Sequence, residues 1–173
     1  EEEIDYLVNK KDCTIVDIPS HRDGPAFSIY QAREGLPLDE PFFISYCDIF
    51  WSWDFDEIRS SLDEDGVIFT HTGFHPHLVK NNYSAFCLPQ ENDPKALQEI
   101  REKQSFTDDW MNEPLSVGVF YVKSGHDMVT GVKHLIENDI RVSGEYFPSL
   151  LFNHMVQEKK RVALRQLDFF IHF

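Results

Sequence analysis

One short stretch, residues 41–53 (PFFISYCDIFWSW), constrains the fold more than any other part of the chain. It begins with a proline and continues with apolar or small residues at positions 42–45, a composition typical of a short buried strand. Asp48 follows, and a helical pattern opens at Asp54. The sequence therefore predicts that Asp48 lies where a buried strand ends and a crossover begins.

The position of Asp48 suggests a chemistry. In α/β folds the carboxyl ends of the strands form the ligand crevice. A carboxylate at that edge suits a divalent metal ion that carries phosphates. The alternative is that Asp48 only caps the turn that follows it.

Composition and charge narrow the classes of protein. The chain has 173 residues, enough for one domain with a core, and 42% of them are hydrophobic, including 15 Phe. The net charge of −14 and the absence of a basic stripe argue against a duplex nucleic acid partner. An acidic protein that handles phosphates does so through a local site.

The cysteines and the hydropathy pattern predict a cytoplasmic location. The three cysteines, Cys13, Cys47 and Cys87, form no CxxC motif and fit a reducing compartment better than a disulfide framework. The sequence has no signal peptide pattern and no apolar run long enough to span a bilayer, so no membrane partner is expected.

The pattern of elements predicts a single α/β domain without an obvious first strand. The strand at 42–45, a helix at 54–62 and a strand at 66–70 have β-α-β spacing, which predicts a parallel, right-handed unit. Local propensity favours a helix at 96–103, and a strand there stays open. The other predicted elements are the end of a helix at 1–11, strands at 14–18, 83–88 and 115–122, helices at 25–34, 127–137 and 144–157, and an extended segment at 162–173.

Three histidines within seven residues, His71, His75 and His77, suggest a metal site. However, Pro76 breaks any helix that would align them, and no cysteine or carboxylate lies at ligand spacing. The pattern favours a loop that faces substrate over a structural zinc site.

Gly24 and Pro25 mark the start of a helix. Proline suits the first helical position because its missing N–H is not needed there. A glycine before a helix start leaves backbone N–H groups that can meet an anion or a base edge. The alternative is an ordinary joint between a loop and a helix.

Five runs occur in one order: 24–33 (GPAFSIYQAR), 41–50 (PFFISYCDIF), 100–103 (IREK), 116–125 (SVGVFYVKSG) and 144–151 (GEYFPSLL). This order resembles the middle and C-terminal parts of the sugar-phosphate nucleotidylyltransferases, enzymes that join a nucleotide to a sugar phosphate and release pyrophosphate. The runs GFHPH (73–77) and FIHF (170–173) resemble the capsule and lipopolysaccharide branch of that family.

The resemblance implies a fold, substrates and a cofactor. The fold would be a Rossmann-like nucleotide-diphospho-sugar transferase domain, with a mixed, mostly parallel sheet flanked by helices. The substrates would be a nucleoside triphosphate and a sugar phosphate, with Mg²⁺ as the cofactor. The resemblance also implies a strand at 97–102, against the local helical propensity, and leaves a homo-oligomer open.

The resemblance also implies roles for six residues. Carboxylates accept hydrogen bonds from sugar hydroxyls, and a lysine is a point charge for a phosphate. The implied roles are Gly24 beside the nucleotide base, Asp48 on the catalytic magnesium, Glu102 on the sugar hydroxyls, Lys103 on the sugar phosphate, Gly118 beside the sugar pocket, and Glu145 as a second hydroxyl acceptor.

Two departures from the family pattern leave alternatives open. No N-terminal strand and glycine-rich loop with a basic residue are found, and His172 stands where a second metal-binding aspartate is usual. We therefore interpret residues 1–173 as one nucleotidylyltransferase-like domain that is a fragment. The alternatives are a catalytically inactive binding or regulatory module, and a glycosyltransferase of similar fold. The latter normally shows Asp-x-Asp, which Asp48-Ile49-Phe50 lacks.

Overall fold

The computed structural model describes residues 13–75, 80–167 and 169–172. The predicted helix end at 1–11 and the residues His77 and Phe173 lie outside the described residues. The strands are β1 (Phe42–Ser45), β2 (Ile49–Ser52), β3 (Gly66–His71), β4 (Ala85–Gln90), β5 (Asp93–Glu102), β6 (Leu115–Val122), β7 (Val162–Gln166) and β8 (Phe169–His172). The helices are α1 (Pro25–Ala32), α2 (Phe55–Arg59), α3 (Gly125–Glu137) and α4 (Leu151–Gln157), with short 3-10 turns at Arg33–Gly35, Ser60–Asp63, Trp110–Asn112 and Pro148–Leu150.

The described strands form a mixed α/β architecture, as predicted. Six strands make one sheet in the order β1-β6-β3-β7-β5-β4, and β4 also pairs with β6. The pairing of β3 with β7 is parallel, and the other pairings of this sheet are antiparallel, so the expected excess of parallel pairs does not hold for the described strands. Both β1 and β3 are antiparallel to β6, which lies between them. They therefore run in one direction, as the β-α-β spacing predicted, without being neighbours.

Strand β1, at the start of residues 41–53, is only half-buried. Side chains of β1 alternate between partly buried and exposed, and Phe43 is 44% exposed. The prediction of a buried strand was wrong because β1 pairs only with β6 among the described strands. Each face of such an edge strand packs against fewer neighbours than a central strand does.

The structure contains a strand, β2, that the sequence did not predict. Residues of β2 pair antiparallel with β8 in a separate two-stranded sheet. The ring of Trp51 lies 4.1 Å from that of Trp53, which in turn lies 4.7 Å from that of Phe69 in β3. Aromatic residues favour strands, but four residues alone gave no clear alternation.

Three other predictions differ from the structure. The β-branched run at 14–18 forms no strand, because it is paired with no described strand. The helix expected over 144–157 is shorter: after Gly144 in the left-handed region (φ 86°), a 3-10 turn begins at Pro148 and α4 begins at Leu151, since proline disfavours helical geometry in the residue before it. Residues 96–102 lie in β5, so pairing with β4 and β7 overrides the local helical propensity.

The larger part of the core lies between the six-stranded sheet and helices α1, α3 and α4. Its fully buried side chains include Phe120, Phe152 and Leu151. The side-chain amide of Asn153 in α4 donates to the carbonyl oxygen of Ile100 at 2.8 Å and accepts from its N–H at 2.8 Å. These two bonds fix α4 on β5, next to the site described below. None of the helices in the described ranges is long and apolar enough to cross a bilayer.

Candidate functional site

A cavity of about 400 Å³ opens where β6 bends and the ribbon of β2 and β8 approaches it. Four of the six residues predicted for the site line it, namely Asp48, Glu102, Lys103 and Gly118. Neighbouring aromatic and polar side chains complete the wall: Tyr46, His75, Tyr83, Ser84, Ser116, Phe147 and Phe170.

Gly118 creates the bend in β6. Ile68 of β3 is paired with Phe120 and Thr70 with Ser116, so three residues of β6 lie opposite Phe69 alone. Gly118 has a φ of 81°, a region that favours glycine. A side chain there would also meet the ring of Tyr46, since an added Cβ would lie 2.6 Å from its Cδ2. The bulge separates β6 into a half that pairs with β1 and an end that reaches β4, and the cavity lies at this break.

Glu102 and Lys103 stand at the end of β5, where the chain leaves the sheet. The N–H of Lys103 donates to the carbonyl oxygen of Ser84 at 2.8 Å, which ties this strand end to the segment before β4. Lys103 adopts a φ of 57°, unusual for a residue with a side chain. Burial raises the pKa of the Glu102 carboxyl, against the hydrogen bond from Ser149 and the charge of Lys103, which both lower it.

Two residues at the turn before α4 hold this pair, and the sequence predicted a role for neither. The hydroxyl of Ser149 donates to Oε2 of Glu102 at 2.5 Å, and Ser149 is 1% exposed. The ammonium of Lys103 lies 4.6 Å from the centre of the Phe147 ring, a cation–π contact. Within the run GEYFPSLL, the resemblance implied a role for Glu145 alone, and neither a serine nor a phenylalanine signals such a contact by its type.

The side chain of Tyr46 lies within the electrostatic influence of the site's carboxylates. Its pKa is raised, first by burial and then by the negative charges of Glu102, Asp48 and Glu145. The phenol therefore stays protonated at neutral pH and can donate a hydrogen bond to a ligand oxygen. Its backbone N–H donates to the carbonyl oxygen of Gly118 at 3.2 Å.

Gly24 and Glu145 do not line the cavity, but they lie together beside it. An added Cβ on Gly24 would lie 2.7 Å from Cβ of Glu145. Gly24 has a φ of 90° and immediately precedes α1, with Pro25 at the first helical position, as predicted. The structure thus places all six predicted residues in one region, four in the wall and two adjacent to it.

The donors available to a magnesium ion are few. Asp48 is exposed and lines the cavity. In the ladder between β2 and β8, the backbone of His172 is paired with Ile49, the residue that follows Asp48. No group of three His, Cys, Asp or Glu side chains within the described ranges could hold a metal ion. Mg²⁺ often takes one or two carboxylates and completes its shell with water and substrate phosphates. A single carboxylate facing a cavity fits that mode of binding.

The histidine loop contributes to the same wall. The ring of His75 stacks on Phe170 with the ring centres 4.1 Å apart, and its Nε2 lies 3.3 Å from the carbonyl oxygen of Phe170. His71 meets His75 edge-on at 5.9 Å, and its buried Nε2 has no hydrogen-bond partner in the described part of the chain. Because His77 lies outside the described residues, the absence of a structural zinc here stays a prediction.

No protein-family model matches the sequence, and no curated protein matches it. Solved structures do match. The nucleoside-diphosphate-sugar pyrophosphorylase from Vibrio cholerae RC9 superposes with a TM-score of 0.72 over 91% of this chain and 64% of that one, at 15% identity. The fold is that of the nucleotide-sugar pyrophosphorylases.

Two further structures agree. The inositol-1-phosphate CTP transferase from T. maritima matches with a TM-score of 0.67 at 13% identity, over 99% of this chain and 65% of that one. A putative glucose-1-phosphate thymidylyltransferase from Bacillus anthracis, solved with sucrose, has the same TM-score at 10% identity and the same shares of the two chains. This chain therefore spans about two thirds of the length of these structures.

Proposed function

We propose that this chain is part of a Mg²⁺-dependent sugar-phosphate nucleotidylyltransferase, which joins a nucleoside triphosphate and a sugar 1-phosphate into a nucleotide-sugar and pyrophosphate. The observation that carries the proposal is the meeting of Asp48, Glu102, Lys103 and Gly118 around one cavity. These residues come from three separate segments, namely the turn between β1 and β2, the end of β5 and the bulge of β6, and the resemblance in the sequence had singled them out. Their convergence supports a common role, and the fold likeness supports the class of reaction.

In the proposed reaction, an oxygen of the sugar phosphate attacks the α-phosphorus of the triphosphate. A new P–O bond forms, the bond to the β-phosphate oxygen breaks, and pyrophosphate leaves. Positioning and charge stabilisation carry such a transfer, since the protein forms no covalent bond. When bound, Mg²⁺ screens the repulsion between the two anions and polarises phosphoryl oxygens.

The chain's own residues then have distinct tasks. Asp48 holds the metal ion at the cavity wall. Lys103, held against the ring of Phe147, binds the attacking phosphate through charge. Glu102 and Glu145 accept hydrogen bonds from sugar hydroxyls, and the neutral phenol of Tyr46 donates to a ligand oxygen between them. The backbone of Gly24 lies beside the nucleotide base.

We further propose that the protein serves capsule or lipopolysaccharide synthesis, because the runs GFHPH and FIHF resemble that branch of the family. We also propose that it acts in the cytoplasm, because its three cysteines form no CxxC motif and fit a reducing compartment. The aromatic wall formed by His75, Tyr83 and Phe170 faces the cavity and suits a ring-shaped ligand.

The test is pyrophosphate release by the full-length protein, measured with Mg²⁺, a panel of nucleoside triphosphates and a panel of sugar 1-phosphates. At least one pair should turn over, and Asp48→Asn should lower turnover by about two orders of magnitude. Asp109→Asn, a carboxylate outside the cavity, serves as the control. Binding of both ligands without any turnover would instead indicate the inactive binding module, and binding of neither would overturn the proposal.

A further inference from the structure

Two separate segments of the chain dock on each other beside the cavity. The N–H of Tyr146 donates to the carbonyl oxygen of Asp23 at 2.7 Å, and the N–H of Ala26 donates to the carbonyl oxygen of Tyr146 at 3.0 Å. Gly24 lies between these bonds and touches Glu145, with no space for a side chain. The segment assigned to the nucleotide base and the segment assigned to the sugar hydroxyls therefore share one joint, which we call the Gly24–Glu145 joint.

Arg141 spans this joint through its guanidinium group. Nη1 donates to Oδ1 of Asp23 at 3.0 Å, and Nε donates to Oδ1 of Asp139 at 2.5 Å. The same group lies 4.3 Å above the centre of the Tyr146 ring, whose hydroxyl donates to Asp139 at 2.9 Å. One side chain thus contacts both segments, through an ion pair to the first and through an ion pair and a ring to the second.

The turn that carries Arg141 contains several residues with positive φ values. Asp139 and Ser143 have φ values of 53°, and Gly144 has a φ of 86°. Non-glycine residues adopt this region at an energetic cost and persist there only when surrounding contacts hold them. Asp139 is held by Arg141 and Tyr146, and these contacts lower the pKa of its carboxyl.

The Gly24 segment is also fixed from its other side. The N–H of Asp23 donates to Nδ1 of His21 at 3.1 Å, so the neutral imidazole carries its proton on Nε2, which faces the hydroxyl of Ser28 at 3.0 Å. The loop before α1 is therefore anchored within itself by His21. The link between this loop and the Glu145 turn is made by the joint and by Arg141.

We propose that Arg141 is a positioning residue that couples the two half-sites, so that binding of the nucleotide and binding of the sugar phosphate favour each other. The inference rests on the proposed function for the identity of the two ligands. A ligand that orders the Gly24 segment also orders the Glu145 turn through Arg141, and linkage requires the reverse effect to be equal. Arg141 is 37% exposed and Asp23 is 36% exposed, so added salt weakens the coupling by screening the pair.

The binding test is calorimetric titration of the full-length protein with α,β-methylene nucleoside triphosphates, which cannot turn over, and with glucose 1-phosphate and other hexose 1-phosphates. Each ligand is titrated alone and in the presence of the other. The wild-type protein should show a coupling factor of at least about fivefold, a typical size for linked sites. Arg141→Gln should lower that factor at least about twofold, because only the backbone hydrogen bonds of the Gly24–Glu145 joint remain, and Arg141→Lys, with one point charge, should lower it less.

The control is Arg161→Gln. Arg161 also pairs with two acids, Glu64 and Asp93, but these lie away from the cavity wall. This variant should leave the coupling factor unchanged. Asp23→Asn should reproduce the effect of Arg141→Gln, and combining the two should add little, because both remove the same link.

Amide hydrogen exchange without ligand separates this inference from the proposed function. In Arg141→Gln, residues 22–26 and 143–146 should both exchange faster. Unchanged protection in both segments would overturn the link itself. Faster exchange with an unchanged coupling factor would reduce Arg141 to a structural residue and overturn the proposal. Faster exchange in a protein that binds no triphosphate or sugar phosphate would overturn the ligand assignment while leaving the link in place.

Discussion

The hydroxyl oxygen of Ser149 lies 2.5 Å from Oε2 of Glu102, and this contact joins the turn before α4 to the end of β5. It opposes the rise in the pKa of Glu102 that burial produces. Ser149→Ala should therefore raise the pKa of Glu102 further. In the full-length protein, the acid limb of kcat/KM should move to higher pH, because the carboxylate form accepts the sugar hydroxyls.

The same substitution should weaken sugar-phosphate binding more than triphosphate binding, by about five- to tenfold for the loss of one hydrogen bond. Ser149→Thr keeps the hydroxyl and should behave like the wild-type protein. An unshifted acid limb in Ser149→Ala would show that protonation of Glu102 in the free enzyme does not set the acid limb of kcat/KM.

Gly118→Ala should destabilise the fold and damage the cavity together. The added methyl group would lie 2.6 Å from Cδ2 of Tyr46, and the backbone would keep a φ of 81° that alanine adopts at a cost. We expect a loss of about 2–4 kcal/mol in the free energy of unfolding, from backbone strain plus overpacking.

Gly144→Ala is the matched control for that measurement. Gly144 has a φ of 86°, and an added Cβ there would meet nothing within 4 Å. Denaturant unfolding of both variants should therefore separate strain from collision, with Gly118→Ala losing clearly more. Equal losses would show that Tyr46 moves aside at little cost.

The sequence predicted the closeness of the residues around the cavity better than the pairing of the strands around them. Asp48 was singled out by its position after a strand and by its residue type, whereas Glu102 and Lys103 were singled out by the resemblance of the run IREK. The insertion of β6 between β1 and β3 depends on contacts between residues 44 or more positions apart. Local periodicity contains no information about such pairing. The sequence therefore predicted that β1 and β3 run in one direction but did not predict that β6 lies between them.

Propensity failed where tertiary pairing decided the outcome. Residues 96–102 favour a helix locally, yet Ala96 is paired with Ala163 and Ile100 with Cys87 in the sheet. The supporting residues Ser149 and Phe147 were missed for a related reason. Their roles come from touching Glu102 and Lys103 across 44 or more positions, and neither residue type signals such a contact by itself.

Lys103→Ala should weaken sugar-phosphate binding by about ten- to a hundredfold, since a charge-assisted contact to a phosphate contributes roughly 1.5–3 kcal/mol. Triphosphate binding should hardly change. Lys123→Ala is the control, because Lys123 donates to the carbonyl oxygen of Asp63, and neither residue lines the cavity. Calorimetric titration of each ligand distinguishes the outcomes. Equal losses for both ligands would indicate general unfolding, and no loss for either would remove Lys103 from the site.

The stacked pair of His134 and His154 should make stability depend on pH. Their ring centres lie 4.1 Å apart between α3 and α4, and the pKa of His154 is lowered by burial and then by the charge of His134. Lys160 lowers this pKa as well, and Glu158 raises it. Because the unfolded chain then binds the proton more tightly than the folded one, the contribution to stability is complete above the ordinary histidine pKa of about 6.5 and is lost as the pH falls through the lowered value.

Thermal unfolding between pH 7.5 and 5 checks this expectation. The wild-type midpoint should fall across that range, and His154→Asn should flatten the dependence, because it removes the group whose protonation the folded state resists. His126→Asn is the control, since His126 is exposed, pairs with Asp39 at 3.1 Å and lies outside the stack. The assignment would be wrong if His154→Asn kept the full wild-type slope while His126→Asn removed it.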